Sequence, residues 1–378
     1  METLDRALAW QTAEPIRVQR PGSPEHGGIL HGFDQRRGGP LGLYTEITGY
    51  AVSLFTFLLG LGGYEKLRMA TMEASDYLLR IQDRSGAFPH LPDPRAVDGP
   101  WSAYSFDVAA CIVGLARCGK LLQGRRYLDS AASAGRWLLG LQRPDGSFFA
   151  MMDKGGGLRD PGGFYGDGSC IHAKNAIALL ELHAATGREE YRRAAERVCD
   201  YTLALQSTDG AFRSRPGSPD VFTHAHAYAC EGLLYSGVIL GEDRFKAAAR
   251  KGVAWLANHQ QDDGGWLSHY NSRPLTRRRV VDTILRPRPS DAAAQSARLF
   301  SLMSVMGEGG VAGEGGNDHE GARRAAIGFL LRCQEAGGGF HYRRTRFGLS
   351  PFLDTWSAQF AVQAFVWDTR PALVGELF

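Results

Sequence analysis

The sequence predicts an all-α fold, an (α/α)6 toroid of six helical hairpins with an inner and an outer ring of helices. Three observations predict it. One motif recurs five times, each time closing a helix-like segment. Segments apolar on nearly every face alternate with amphipathic ones, as buried helices alternate with surface helices. A sixth buried segment near the C-terminus has no amphipathic partner after it, and the N-terminal segment can supply one.

The motif is Gln, Gly four residues on, and an aromatic residue two further on. Its copies are Gln82–Gly86–Phe88, Gln142–Gly146–Phe148, Gln206–Gly210–Phe212, Gln260–Gly264–Trp266 and Gln334–Gly338–Phe340. They are spaced 60, 64, 54 and 74 residues apart, which suits a helix pair with its loops. Asp145, Asp209 and Asp263 precede the glycine in three copies, and Asp-Gly stops a helix and turns the chain. The aromatic ring can tuck over the helix end while Gln hydrogen-bonds the turn. The motif therefore reads as mainly structural.

The amphipathic segments 127–142, 191–206 and 245–260 carry apolar and small residues at three- and four-residue steps, the helical period. The buried helices fall at 44–60, 104–121, 170–186, 224–240, 290–306 and 354–368. A helix at 3–12 closes the ring against 354–368, so residues 1–378 are expected to form one domain. Gly/Pro-rich stretches at 21–43, 92–103, 151–169, 213–222 and 267–290 lie where an outer helix leads to the next inner one. They share one end of the ring, where site loops would gather. The Gly-rich stretch 307–316 lies at the other end and reads as a flexible surface insert.

Composition excludes several classes. Hydrophobic residues make up 44% and charged residues 22%, enough to bury a core. With 43 Lys+Arg against 40 Asp+Glu the net charge is +3, too balanced for a dedicated nucleic-acid binder. Glycine, 48 of 378 residues, has no collagen period. The N-terminus lacks a basic start and apolar stretch, and the apolar run near 51–61 is too short to span a membrane. Cys111, Cys118, Cys170, Cys199, Cys230 and Cys333 form no Cys-x-x-Cys pair. A reduced, cytoplasmic protein without cofactor or metal is the expectation.

Polar residues at the starts of the inner helices are the site candidates. Tyr44, Glu46 and Tyr50 precede a strongly apolar run; Glu46 suits a dipole-favoured cap or a general acid/base. Tyr104 and Asp107 open the next helix, where an Asp is ordinarily a cap. His172 and Lys174 lie on a mostly apolar helix and need a partner or a cavity. His224, His226, Tyr228 and Glu231 form the densest cluster. His224 and Tyr228 share a face, whereas His-x-His does not place two metal ligands together. Either His is a candidate acid/base, against a hydrogen-bonded core histidine as the alternative; a zinc site with Cys170 or Cys230 is a weaker reading. Asp291 and Asp354 suit N-caps or substrate contacts, and Trp356, Gln295 and Gln359 lie on otherwise apolar faces. Two basic loops, Arg273, Arg277, Arg278, Arg279, Arg286 and Arg288, then Arg343, Arg344 and Arg346, lie beside Trp266, Tyr270, Tyr342 and Phe347. Solvated loops are the bland reading; a mouth for an anionic sugar is the sharper one.

The repeat resembles the α/α-toroid proteins, among them six-hairpin glycosidases, N-acylglucosamine 2-epimerases, terpenoid cyclases and prenyltransferase β-subunits. The starts YTEITGY (44–50), SFDVAACIVGL (105–115), THAHAYACEGLL (223–234) and DTWSAQFAVQAF (354–365) resemble those of bacterial polysaccharide-biosynthesis proteins similar to the helical domain of glucuronyl C5-epimerases. The Asp-x-Asp-Asp acid motif of terpene cyclases is absent from the sequence. So is a clear prenyltransferase-type zinc set.

The leading expectation is a carbohydrate-active protein taking a small or oligomeric uronate-type or amino sugar. His224 or His226 would exchange a proton with the sugar, partnered by Tyr44, Glu46, Tyr104 and Asp107, with His172 a further candidate. Lys174, Tyr228, Trp266, Arg279, Tyr342 and Arg344 join the candidate substrate contacts. Hydrolysis by Glu46 with Asp107 is a variant. A terpenoid-cyclase-like activity on an isoprenoid and a non-catalytic glycan-binding toroid are the alternatives.

Overall fold

The computed structural model describes residues 2–91, 101–271, 284–305, 319–370 and 372. Arg273, Arg277, Arg278, Arg279 and the stretch 307–316 lie outside them. Twelve α-helices are found among the described residues. The inner ring is α2 (Thr45–Gly60), α4 (Ser105–Leu121), α6 (Asn175–Thr186), α8 (Thr223–Leu240), α10 (Ser290–Val305) and α12 (Thr355–Thr369). The outer helices are α3 (Leu67–Ile81), α5 (Arg125–Gly140), α7 (Glu189–Leu203), α9 (Asp243–His259), α11 (His319–Cys333) and α1 (Glu2–Thr12). This is the (α/α)6 toroid. The third inner helix departs slightly from expectation, because it opens as a tighter 3-10 turn, Cys170–Lys174, before α6.

The recurring motif staples neighbouring outer helices. Each Gln Nε2 donates to its own motif-glycine carbonyl. It also donates, at 2.8–3.0 Å, to Ser130, Ala194, Ala248, Ala322 or Thr3 on the next outer helix. The motif glycines have φ between +81° and +96°. A Cβ there would stand 2.1–2.5 Å from a carbonyl of that same neighbour, so both backbone angle and space demand glycine. The five aromatic rings are fully buried.

A sixth, divergent copy connects α1 to α3. Gly27 has φ +87°, and a Cβ on it would lie 2.1 Å from the Glu73 carbonyl. Ile29, buried, stands where the aromatic does elsewhere. With no Gln and no ring, this copy is silent in the sequence pattern.

A second sixfold feature builds the mouth. Four residues beyond each glycine the chain runs back to the first residue of an inner helix. The N–H groups of Thr45, Ser105, Cys170, Thr223, Ser290 and Thr355 donate to the carbonyls of His90, Ala150, Ser214, Ser268, Tyr342 and His31. Hydroxyls reinforce this: Ser290 Oγ donates to the His341 carbonyl at 2.7 Å and Thr355 Oγ1 to the Leu30 carbonyl at 2.8 Å. Beyond these hooks, the described residues of the mouth loops form eleven short strands in four small antiparallel sheets. The sequence reading did not foresee them, since strands of two or three residues are too short for a visible alternation.

Candidate functional site

At this end the inner helices surround a cavity of about 1000 Å³. Its walls come from three positions per hairpin. The residue before each inner helix contributes Tyr44, Tyr104, Phe222 and Pro289; the second residue of the helix contributes Glu46, His224, Asp291 and Trp356; the hooks contribute His31, His90, Ser268 and Tyr342. Phe164 and Tyr165, on a 3-10 turn at Gly163–Tyr165, close one side.

Glu46 and Asp107 are the candidate chemical centre. Both are buried, at 1% and 0% exposure. Asp107 Oδ2 lies 2.5 Å from His90 Nδ1, and Trp356 Nε1 donates to Glu46 Oε1 at 3.2 Å. The Asp107 charge acts on Glu46, and Glu46 Oε2 and Asp107 Oδ1 have no hydrogen-bond partner. Burial, then the Asp107 charge, raises the Glu46 carboxyl well above its ordinary range. Burial also raises Asp107, partly opposed by His90. Two carboxyls near one another and away from water resist ionising together, which acts on both in the same direction as burial.

An aromatic belt surrounds the pair. Ring centroids of Tyr44 and Trp356 are 5.0 Å apart, Tyr44 and His90 4.8 Å, and His90 and Tyr104 4.4 Å. On another wall His224 stands edge-on to Phe164 at 4.4 Å, and burial lowers it to about 4. His269 Nε2 lies 2.9 Å from Asp220 Oδ1, which Asn271 also contacts. Burial raises Asp291 to about 6. Nearly every wall residue offers a hydrogen bond or a ring face; Leu91 is the aliphatic exception beside glycine and prolines.

Several expected site residues belong elsewhere. His226 is wall structure: its Nδ1 accepts from the Phe212 N–H at 3.0 Å and its Nε2 donates to the Gly252 carbonyl at 2.9 Å. Two residues beyond His224, it faces the outer ring instead of the cavity. His172 is buried against Phe148, and burial lowers it to about 3. Trp266 is fully buried, its Nε1 donating to the Leu256 carbonyl at 2.7 Å. Asp354 caps α12 through Ser357 N and Oγ. Arg344 lies 3.9 Å from Asp263. Gln295 is buried but outside the cavity lining. Lys174, Tyr50 and Gln359 lie deeper on the axis, against a separate small cavity. Tyr228 forms the floor between the two, lining the mouth cavity while Lys174 Nζ stands 4.3 Å from its ring. Of the basic loops, only Arg343 among the described residues lines the mouth cavity; Arg286 bonds Gln261, Arg288 pairs with Asp263, and Arg346 covers Phe347. Arg279 lies outside the described residues.

The sequence reading missed His31, His90, Phe164, Tyr165, Asp220 and His269. A signal existed for His90: it follows its motif glycine by four residues, as Tyr342 does. The rest carried none. All six cysteines are buried and unpaired, and no group of three potential metal ligands occurs among the described residues.

The ring of helix pairs with a mouth cavity defines an α/α-toroid protein. Residues 106–312 match the squalene-hopene cyclase C-terminal domain, more than half of the chain, and the chain belongs to that family. A curated relative, drimenyl diphosphate synthase from Streptantibioticus cattleyicolor, is 23% identical over 283 residues, 74% of this chain and 43% of that protein. The chain thus spans less than half of that relative's length. Cellobiose 2-epimerase from Bacillus thermoamylovorans superposes with a TM-score of 0.74 at 9% identity, covering 97% of this chain and 100% of that one. Unsaturated glucuronyl hydrolase from Bacillus sp. GL1 does so at 0.66 and 16%, covering 100% and 97%. These two structures establish the shared fold. No helix among the described residues is long and apolar enough to cross a membrane.

Proposed function

We propose that this protein is an enzyme moving a proton at a sugar carbon, in an epimerase- or lyase-like reaction on a uronate-type or amino sugar. The observation that carries this reading is the buried Glu46–Asp107 pair, backed by His90, within walls of hydrogen-bonding aromatics. The ionised member of the pair takes a proton from a carbon beside a carboxylate or carbonyl. The C–H electrons pass into an enolate, which Tyr44, Tyr104 and the protonated member stabilise. Return of a proton from the far wall, where His224 and Asp291 stand, inverts the carbon; expulsion of a β-substituent instead completes an elimination. Trp356 and Tyr104 supply flat faces for the sugar ring, and Arg343 a fork for a carboxylate.

The test is solvent-deuterium incorporation into candidate uronates and amino sugars, followed by NMR, with Glu46→Gln as control. Exchange in the wild type and its loss in the folded variant support the reading.

The family match favours a second reading, cyclisation of an isoprenoid, in which the same acid pair protonates an alkene and the rings stabilise the cation. Turnover of prenyl diphosphates with no deuterium entering any sugar would replace the first reading with this one.

A further inference from the structure

Beneath the Tyr228 floor, the toroid axis holds a second cavity of about 70 Å³. Much of its wall is apolar, including Leu54, Val113, Ile177 and Leu302. Three cations nevertheless line it: Arg117, Lys174 and Arg298. Two carboxylates answer them. Glu181 lies 2.6 Å from Arg117 Nε, and Glu231 bridges Lys174 at 3.0 Å and Arg298 at 2.8 Å. Among the described residues, these ion pairs set three cations against two carboxylates, one positive charge in excess in the cavity's own lining, with Glu46 of the mouth pulling on Lys174 from beyond it. An uncompensated charge in such surroundings is costly.

Two donors there are unsatisfied. Asn175 Nδ2 and Arg298 Nε have no hydrogen-bond partner, although the residues are 0% and 7% exposed. Buried donors of this kind ordinarily find a partner. The aromatic faces of Tyr50, Tyr228 and Phe360 stand 4.7, 4.3 and 5.1 Å from Lys174 Nζ, so the ammonium is held between these rings and Glu231. Burial still lowers Lys174 to about 8 against the pull of Glu231.

We propose that this axial cavity binds a monovalent inorganic anion of halide size, held by Asn175 Nδ2 and Arg298 Nε beside Lys174. One such anion balances the excess charge and satisfies both donors. The volume accommodates it with a few waters, which the unpartnered Asn175 Oδ1 and Gln359 Oε1 can accept. The site is separate from the mouth chemistry and stands whichever substrate the mouth takes.

Two measurements test it. Crystals soaked in sodium bromide should show an anomalous peak between Asn175 and Arg298. Chloride titration should raise the wild-type melting temperature along a saturating curve, its midpoint shifted about tenfold or more by Asn175→Leu, the loss expected for a hydrogen bond to a charged group. Comparing the two proteins cancels general salt effects. Should Asn175→Leu not fold, the bromide map alone decides. An empty anomalous map, or the same chloride response in both proteins, overturns the proposal and leaves the cavity to water.

Discussion

His90 Nδ1 lies 2.5 Å from Asp107 Oδ2, although the two residues come from different hairpins. His90 is a hook residue beyond the first outer helix, and Asp107 is on the second inner helix. The pairing fixes one oxygen of Asp107, a member of the carboxyl pair on which the proposed chemistry rests.

Replacing Glu46 by Gln or Asp107 by Asn should lower kcat by about 10²–10⁴ while leaving the helical circular dichroism unchanged. His90→Gln should act indirectly, shifting the pH profile of kcat more than its maximum. An unshifted profile would show that His90 does not position Asp107.

The two neighbouring histidines should separate cleanly. His226→Ala strips partners from the buried Phe212 N–H and Gly252 carbonyl and opens a void. It should cost about 2–5 kcal/mol in chemical denaturation. His224→Ala, facing the cavity, should leave stability nearly unchanged and reduce turnover.

Gly210→Ala should destabilise strongly. Its φ is +94°, and the new Cβ would meet the Lys251 carbonyl at 2.4 Å. The backbone alone costs about 1–2 kcal/mol, and the clash adds to it. Gly217→Ala, at φ +69° with open space around it, should incur only the backbone term. Equal losses in the two variants would show that the turn does not staple outer helices.

Asp354 should contribute stability that fades as pH rises from about 4 to about 7, opposing the buried His31, His172, His224 and His226, whose lowered pKa values act in the other direction. Asp354 is fully buried, and burial, then the Asp291 charge, raises it from 3.8 to about 7. The folded state therefore binds its proton more tightly than the unfolded chain, and that advantage fades as pH climbs through the folded pKa. Asp354→Asn keeps a competent helix cap and removes the titration. The wild type's melting temperature should fall relative to the variant's across this range; parallel profiles would contradict the assignment.

The ring was legible because its repeat is simple physics written five times: a left-handed glycine, a Gln that reaches the next helix, and a ring over the helix end. Buried helices were legible as all-round apolar segments, and Glu46 and Asp107 stood out as acids opening such segments. Glu46 lines the cavity, and Asp107 lies behind it beside His90. His226 misled because neither composition nor spacing tells which side of a buried helix faces the axis. Tyr165, Asp220 and His269 were illegible because they sit on mouth loops, whose course is set by tertiary pairing and not by local period. The Arg loops misled by assuming that charge near a mouth faces inward; Asp263 instead draws Arg288 and Arg344 away.

The most direct measurement is NMR-detected exchange in deuterium oxide of a uronate or amino sugar that thermal-shift screening identifies as a ligand. The account predicts deuterium entering one sugar carbon with the wild-type protein and no exchange above background with folded Glu46→Gln. Equal exchange in both proteins, or none in the wild type with a sugar that binds, would contradict the assignment of the Glu46–Asp107 pair as the proton-transfer centre.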